Sequence, residues 1–206
     1  MAKKTDHWLE TATHGKFYIL NPFFSDIRIE DIATHLSHEP RFGAAVQTPY
    51  SVAEHSIHAC RLGGSKSAKF ALLMHDAHEA YAKDLPSPLK RAINELAGFD
   101  LIKKLVEPID KAIEKEFHFR FKEHEEQIKI WDLALLRAEA VLVQGTSMLP
   151  EWNLPKVPLN YEVTPDALRG MRQEFIHNPE NPLDERTYPE LCRDKFLELF
   201  EKYRPR

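Results

Sequence analysis

Most of this chain repeats apolar residues at helical spacing, in segments that end at glycine or proline. One segment has a clear start, because Ser51 followed by Glu54 forms an S-x-x-E capping box, and Gly63 stops it. Helices are predicted over 27–36, 51–62, 67–83, 87–98, 99–117 with a kink or break at Pro108, 123–143 as the longest uninterrupted one, 164 onward, and 186–203. A short strand is predicted over 16–20. The pattern favours an all-α helical bundle with a minor N-terminal strand element.

Composition narrows the class of protein further. The 206 residues show no confident internal boundary, so a single domain over 1–206 is predicted, and a formal net charge of −4 argues against broad nucleic-acid binding. No apolar run approaches the roughly 18 residues of a membrane span, and the N-terminus lacks the apolar stretch of a signal peptide, so we expect a cytoplasmic protein with no membrane partner. Cys60 and Cys192 are too far apart in sequence for a CxxC thiolate site.

Three polar residues of the predicted helix 67–83 lie on a sector away from its apolar stripe. They are His75, Asp76 and Glu79, and the first and last are four residues apart, so one lies a turn above the other. An adjacent His-Asp pair can offer a neutral nitrogen and a hard oxygen to one metal ion if the helix faces a pocket. A solvated polar face is the alternative interpretation of the same pattern.

Two more helices present polar side chains on their inward faces. His55 falls inside the buried stripe of the capped helix, where a satisfied core histidine is the alternative to a ligand. Asp132 and Glu139 share the inward line of the longest predicted helix, and a buried carboxylate needs a cation, a metal or a donor. Asp132 could instead pair with an arginine, and Glu139 is expected only to pair with Arg137 or with a cation of a neighbouring helix. Two imidazoles and two carboxylates suit a divalent transition metal, and the candidate ligands are His55, His75, Asp76 and Asp132.

The order His … His-Asp … Asp over successive helices resembles the HD-domain superfamily of metal-dependent phosphohydrolases. Within this superfamily, the sequence around these residues is similar to the branch that contains five-prime deoxynucleotidases and small phage-type and bacterial phosphohydrolases. The similarity is carried by YSVAEHS at 50–56, by LLMHDAHEAYAKDLPSPLK at 72–90, and by the helix around Trp131-Asp132-Leu133 with Glu139-Ala140. The second stretch contains the run H-D-x-x-E-x-x-x-x-D-x-P-x-P-x-K. The resemblance covers roughly residues 16–145 and implies an HD-type core there, followed by a C-terminal helical extension over about 146–206.

The resemblance also implies roles for the residues that match the motif. The four candidate ligands would hold one divalent transition metal, for which Mn, Co, Ni, Fe and Zn are candidates and Mg is a further one. Glu79 would be the acid/base that acts on the attacking water, and Asp84 would contact the sugar or help to position Glu79. Arg41 matches an arginine that the family uses on the phosphate, where a planar guanidinium suits paired oxygens.

The residues expected near the substrate are less closely matched. Phe42 could stack on a base or pack half-buried, and Lys90 could be a second cation or a solvated surface lysine. Lys83 stands where relatives often have glycine, and its positive charge favours a substrate with a longer polyphosphate. Ala45 and Gln47 stand where many relatives carry a histidine and an arginine. These differences concern the identity of the substrate more than the metal site.

The implied function is hydrolysis of a small-molecule nucleotide, with a deoxynucleoside 5′-monophosphate as the favoured substrate. A deoxynucleoside triphosphate triphosphohydrolase, with dATP as a candidate substrate, is the alternative enzyme. The third hypothesis is a non-catalytic binding or regulatory module with the same helical scaffold. Relatives are usually homo-oligomers, and the apolar, proline-rich segment 148–158 could supply an interface.

Overall fold

The computed structural model describes residues 7–176 and 186–205, so 1–6, 177–185 and 206 of the predicted single domain lie outside the described residues. It confirms the all-α class with a minor N-terminal strand element. The elements are β1 (Trp8–Glu10), β2 (Lys16–Tyr18), α1 (Ile29–His38), α2 (Val52–Leu62), α3 (Lys66–Met74), α4 (Glu79–Ala82), α5 (Ser87–Ala97), α6 (Leu101–Glu116), α7 (Glu125–Glu139), α8 (Pro165–Ile176) and α9 (Tyr188–Tyr203). None of the described helices combines the length and the apolar character needed to cross a bilayer.

The strand element is an antiparallel hairpin of β1 and β2. The predicted strand over 16–20 is shorter than expected, and its partner β1 was not predicted. Phe17 on β2 is fully buried and stacks on Tyr81 of α4, with 3.6 Å between the ring centroids. The hairpin therefore closes the outer side of the short helix that carries Glu79.

The hydrophobic core lies between α1, α2, α3 and α9, which pack against one another. Phe70 of α3 meets Phe200 of α9 with ring centroids 5.5 Å apart, and Phe196 is fully buried beside them. The last helix thus belongs to the same core as the residues of 16–145. Burying such aromatic side chains contributes on the order of 2–3 kcal/mol each.

The predicted helix 67–83 is wrong in one respect, because the chain leaves α-helical geometry between α3 and α4. The Nδ1 atom of His75 lies 2.7 Å from the Leu72 carbonyl oxygen, the acceptor that an α-helix would give to the Asp76 N–H. The following N–H groups bond three residues back instead of four, as in Ala77 to Met74. This tighter turn over 75–78 sets the directions of the two side chains of the His-Asp pair.

Two further helix predictions are decided by the structure, one of them in part. Helix α6 continues through Pro108, so of the expected kink or break the break does not occur, and the missing N–H of Pro108 leaves only the carbonyl of the exposed Lys104 without its donor. The longest predicted helix is interrupted, because α7 ends at Glu139 and a π-helical turn follows over Ala140–Gln144. Gly145 ends that turn with φ of 74°, as its predicted stop requires.

A strained position follows α4. Lys83 has φ of 72° and ψ of 151°, a region that glycine occupies readily and other residues adopt at a cost of about 1–3 kcal/mol. Glycine is the residue that the similar family often carries here. The strain is offset in part by Glu39, whose carboxylate accepts from the Lys83 Nζ at 2.9 Å and from the Asp84 N–H at 3.2 Å.

We expect Lys83→Gly to be about 1 kcal/mol more stable than Lys83→Ala, because both variants lose the ion pair with Glu39 but only glycine relieves the backbone. Urea denaturation of the two variants measures this difference in the free energy of unfolding. Equal stabilities would show that the backbone at this position carries no strain.

Candidate metal centre

Three of the predicted ligands meet between α2 and the turn that follows α3. His55 and His75 face each other with 3.2 Å between their Nε2 atoms. The Asp76 Oδ2 lies 3.1 Å from the Nε2 of His75 and 3.7 Å from the Nε2 of His55. Their ligand atoms all lie within 4.8 Å of one another, which is close enough for one ion to contact all three.

The fourth predicted ligand approaches from α7. The Asp132 Oδ1 lies 3.3 Å from the Nε2 of His55, and the side chain is 45% exposed. Helix α7 packs on α2 and α3, and this contact brings the carboxylate to the edge of the cluster. The structure thus brings all four predicted residues together, with Asp132 on the side that opens to solvent.

Hydrogen bonding fixes which ring nitrogens carry protons. The Nδ1 of His75 faces a carbonyl oxygen, which can only accept, so this nitrogen carries the hydrogen. The Nδ1 of His55 likewise donates to the carboxylate of Glu139 at 2.6 Å. Each ring therefore directs its Nε2 atom to the other, and this is the nitrogen that a metal ion would bind. Burial and Arg41 lower the pKa of His55, but Glu139 and Asp132 outweigh them and raise it to about 10, so without a cation this ring carries a second proton that metal binding would displace. Two nitrogen ligands of a tetrahedral zinc ion are about 3.3 Å apart, so the observed separation fits a cation between them.

Glu139 has a role that the sequence analysis missed. It is fully buried, and the Tyr50 hydroxyl donates to its Oε1 at 2.8 Å while the Arg41 Nε lies 3.1 Å from its Oε2. Burial opposes ionisation, but Arg41 and His55 outweigh it and lower the pKa of Glu139 to about 2. The expected partner Arg137 donates instead to two backbone carbonyls. The one available signal was that Glu139 shares the inward line of α7 with Asp132.

Arg41 lies inside the cluster of carboxylates. Its Nη1 is 3.5 Å from Asp76 and its Nη2 is 4.0 Å from Asp132, while its side chain is only 9% exposed. Burial would lower the pKa of Arg41, but the carboxylates of Glu139, Asp132 and Asp76 raise it, so the guanidinium stays charged. Since these two contacts are longer than hydrogen bonds, both terminal nitrogens keep donors for another partner. The predicted contact with phosphate stays a prediction.

Phe42 follows in a short turn with an unusual backbone. It and the next two residues have φ of 57°, 59° and 64°, of which only the middle one is a glycine. The Phe42 ring is half-buried, and its centroid lies 5.7 Å from the Arg41 guanidinium carbon. The ring therefore lies beside the guanidinium at the edge of the cluster, which leaves both predicted roles of Phe42 open.

Glu79, the predicted acid/base, is buried beside the cluster. Its Oε1 lies 3.6 Å from the Nζ of Lys90, and its Oε2 is buried with no hydrogen-bond partner among residues 7–176 and 186–205. Burial raises the pKa of Glu79 to about 8, and the carboxylates of Asp76 and Asp84 act in the same direction. The pKa of Asp84 is also raised, by burial and by Asp76. Both predicted residues thus lie in the same electrostatic environment as the ligands.

Lys83 lies differently from the other predicted substrate residues. Its Nζ binds Glu39, which follows α1, and among the described ion pairs it has none with the cluster. A separate cavity of about 420 Å³ is lined by the segment 37–51 and the start of α9, and none of the four ligands lines it. The case for this site therefore depends on the chemistry of its donors rather than on the shape of the surface.

No family model matches the chain. It is 36% identical over 110 residues to the uncharacterized protein YfdR of Escherichia coli K12, an alignment that covers 53% of this chain and 58% of that protein. It is 33% identical over 96 residues to the uncharacterized protein RCAP_rcc00048 of Rhodobacter capsulatus, covering 43% of this chain and 49% of that protein. The chain thus spans about half the length of the curated relatives that it matches.

Proposed function

We propose that this protein is a metal-dependent phosphohydrolase that removes phosphate from deoxynucleoside 5′-monophosphates, as an enzyme of the cytoplasm and a homo-oligomer. The observation that carries the proposal is the pair of imidazole Nε2 atoms 3.2 Å apart, with the carboxylates of Asp76 and Asp132 beside them and the buried Glu79 close to Asp76. The resemblance to HD-domain phosphohydrolases, carried by the motif from His75 to Lys90, supplies the reaction class.

His55, His75, Asp76 and Asp132 would hold one divalent ion. The mixture of nitrogen and oxygen donors favours Mn, Fe, Co, Ni or Zn over Mg, which prefers oxygen ligands. When bound, such an ion lowers the pKa of a coordinated water and polarises a phosphoryl oxygen. The donor set supports this assignment because two imidazole nitrogens and two carboxylates converge on one place, which is the ligand mixture that such ions bind.

Glu79 takes the proton from the attacking water and returns it to the leaving sugar oxygen, so that a phosphorus–oxygen bond to water forms as the bond to the sugar breaks. Its burial beside the cluster and its unpartnered Oε2 suit this task. Arg41 offers its two terminal nitrogens to phosphate oxygens, and Lys90 adds a second positive charge next to Glu79. Asp84 and Phe42 are proposed to contact the sugar and the base.

Triphosphate hydrolysis is the alternative function. The extra positive charge of Lys83 favoured a triphosphate as the substrate, but the Lys83 amine donates to Glu39 at 2.9 Å. A panel of deoxy- and ribonucleotides, from mono- to triphosphates, should give orthophosphate and a deoxynucleoside from the monophosphates when Mn²⁺ or Co²⁺ is supplied. Tripolyphosphate as the product would replace this proposal with the triphosphohydrolase. No turnover with any tested metal would favour the non-catalytic module.

Glu79→Gln should retain the metal and lower kcat by about 10²- to 10⁴-fold, because the amide keeps the shape of the side chain but cannot accept the proton. Metal content by mass spectrometry and steady-state kinetics measure the two effects separately. Glu116→Gln is the matched control, since this residue is exposed on α6. Parental turnover in Glu79→Gln would exclude it as the acid/base, and loss of the metal would instead make it a ligand.

A further inference from the structure

A second buried polar network lies next to the metal centre, around Glu54 of α2. The sequence pattern predicts that Glu54 returns to the backbone N–H of Ser51 as part of a capping box. Ser51 does cap α2, but its own N–H donates to the hydroxyl of Tyr188 at 2.8 Å. Glu54 is fully buried and accepts from Tyr188 at 2.6 Å and from the Arg172 Nε at 2.8 Å. The carboxylate thus joins α2 to both C-terminal helices.

Arg172 of α8 donates hydrogen bonds to the segment that precedes α2. It is 3% exposed, its Nη1 donates to the hydroxyl of Thr48 at 3.1 Å, and its Nη2 donates to the carbonyl of Pro49 at 2.7 Å. Its guanidinium carbon lies 4.8 Å from the centroid of the Tyr50 ring. Its planar guanidinium thus has three hydrogen-bond partners, of which Glu54 is fully buried, and it ties the segment before α2 to α8.

Tyr50 connects this network to the metal centre. The side chain is 2% exposed, its ring lies against Arg172, and its hydroxyl donates to the same Glu139 oxygen that accepts from His55. A continuous series of contacts therefore runs from α8 and α9 through Tyr50 and Glu139 to the ring of His55. Partners that bond to a metal ligand's acceptor orient that ligand and tune its basicity.

We propose that Tyr50 is a positioning residue for His55 and that Arg172 and Tyr188 hold it in place, so that the last two helices set the metal affinity of the centre. The inference depends on the proposed metal site but not on the identity of the substrate. Glu139 needs the hydrogen bond from Tyr50 because a buried carboxylate that loses a donor shifts towards its other partners, Arg41 and His55. The direction in which His55 presents its Nε2 then becomes less well defined.

The test is titration of metal-free protein with Co²⁺, followed by calorimetry and by the visible absorption of the bound ion. Tyr50→Phe removes one hydroxyl and keeps the ring, and we expect its Kd for Co²⁺ to rise about 3- to 10-fold, less than the 10- to 100-fold typical of a direct partner of a metal ligand. Tyr188→Phe should weaken binding in the same direction. The double variant should bind no more weakly than Tyr50→Phe, because Tyr188 acts through Tyr50.

Tyr81→Phe is the matched control, since the Tyr81 hydroxyl is buried and has no hydrogen-bond partner in the part of the chain that the structure describes, so its loss should leave the Kd unchanged. Thermal unfolding of each variant confirms that it is folded. An unchanged Kd in Tyr50→Phe, or additive losses in the double variant, would overturn the positioning role while leaving the proposed function intact. Failure of the parental protein to bind Co²⁺ would overturn both.

Discussion

The buried carboxylate of Glu139 is the constraint on which the proposed metal centre depends. A charge without solvent is costly, and three partners compensate it: the guanidinium of Arg41, the hydroxyl of Tyr50 and the Nδ1–H of His55. By accepting the hydrogen bond from Nδ1–H, Glu139 turns the ring of His55 so that its Nε2 faces the Nε2 of His75. The buried charge of Glu139 thus orients His55, while the Leu72 carbonyl orients His75, and the two Nε2 atoms meet at one point.

The architecture serves this arrangement at each step. Helix α2 carries His55 through the core, the tight turn after α3 directs His75 and Asp76, and α7 supplies both Asp132 and Glu139. The backbone has positive φ on two sides of the centre, at 42–44 and at Lys83, where strain is retained beside functional groups. Helix α9 closes the core and holds the segment that leads into α2.

Much of this could be predicted from the sequence, because periodicity, the start at Ser51 and the stops at Gly98 and Gly145 depend on local chemistry. The same pattern placed His55 and Asp132 on inward faces and grouped His75 with Asp76, and the structure brings these four predicted ligands together. The break at 75–78 was not predictable, since it depends on a side chain that takes a backbone carbonyl. Glu54 was expected to complete the capping box with the Ser51 N–H; its carboxylate instead accepts from Arg172, 118 residues further along the chain. No local pattern contains that information.

The most direct test of the account is anomalous scattering from crystals of the full chain grown with Mn²⁺. The account predicts one strong peak within about 2.0–2.3 Å of the Nε2 atoms of both His55 and His75, with Asp76 and Asp132 adjacent. A peak elsewhere, or two histidine rings joined by a direct hydrogen bond with no ion near them, would contradict it.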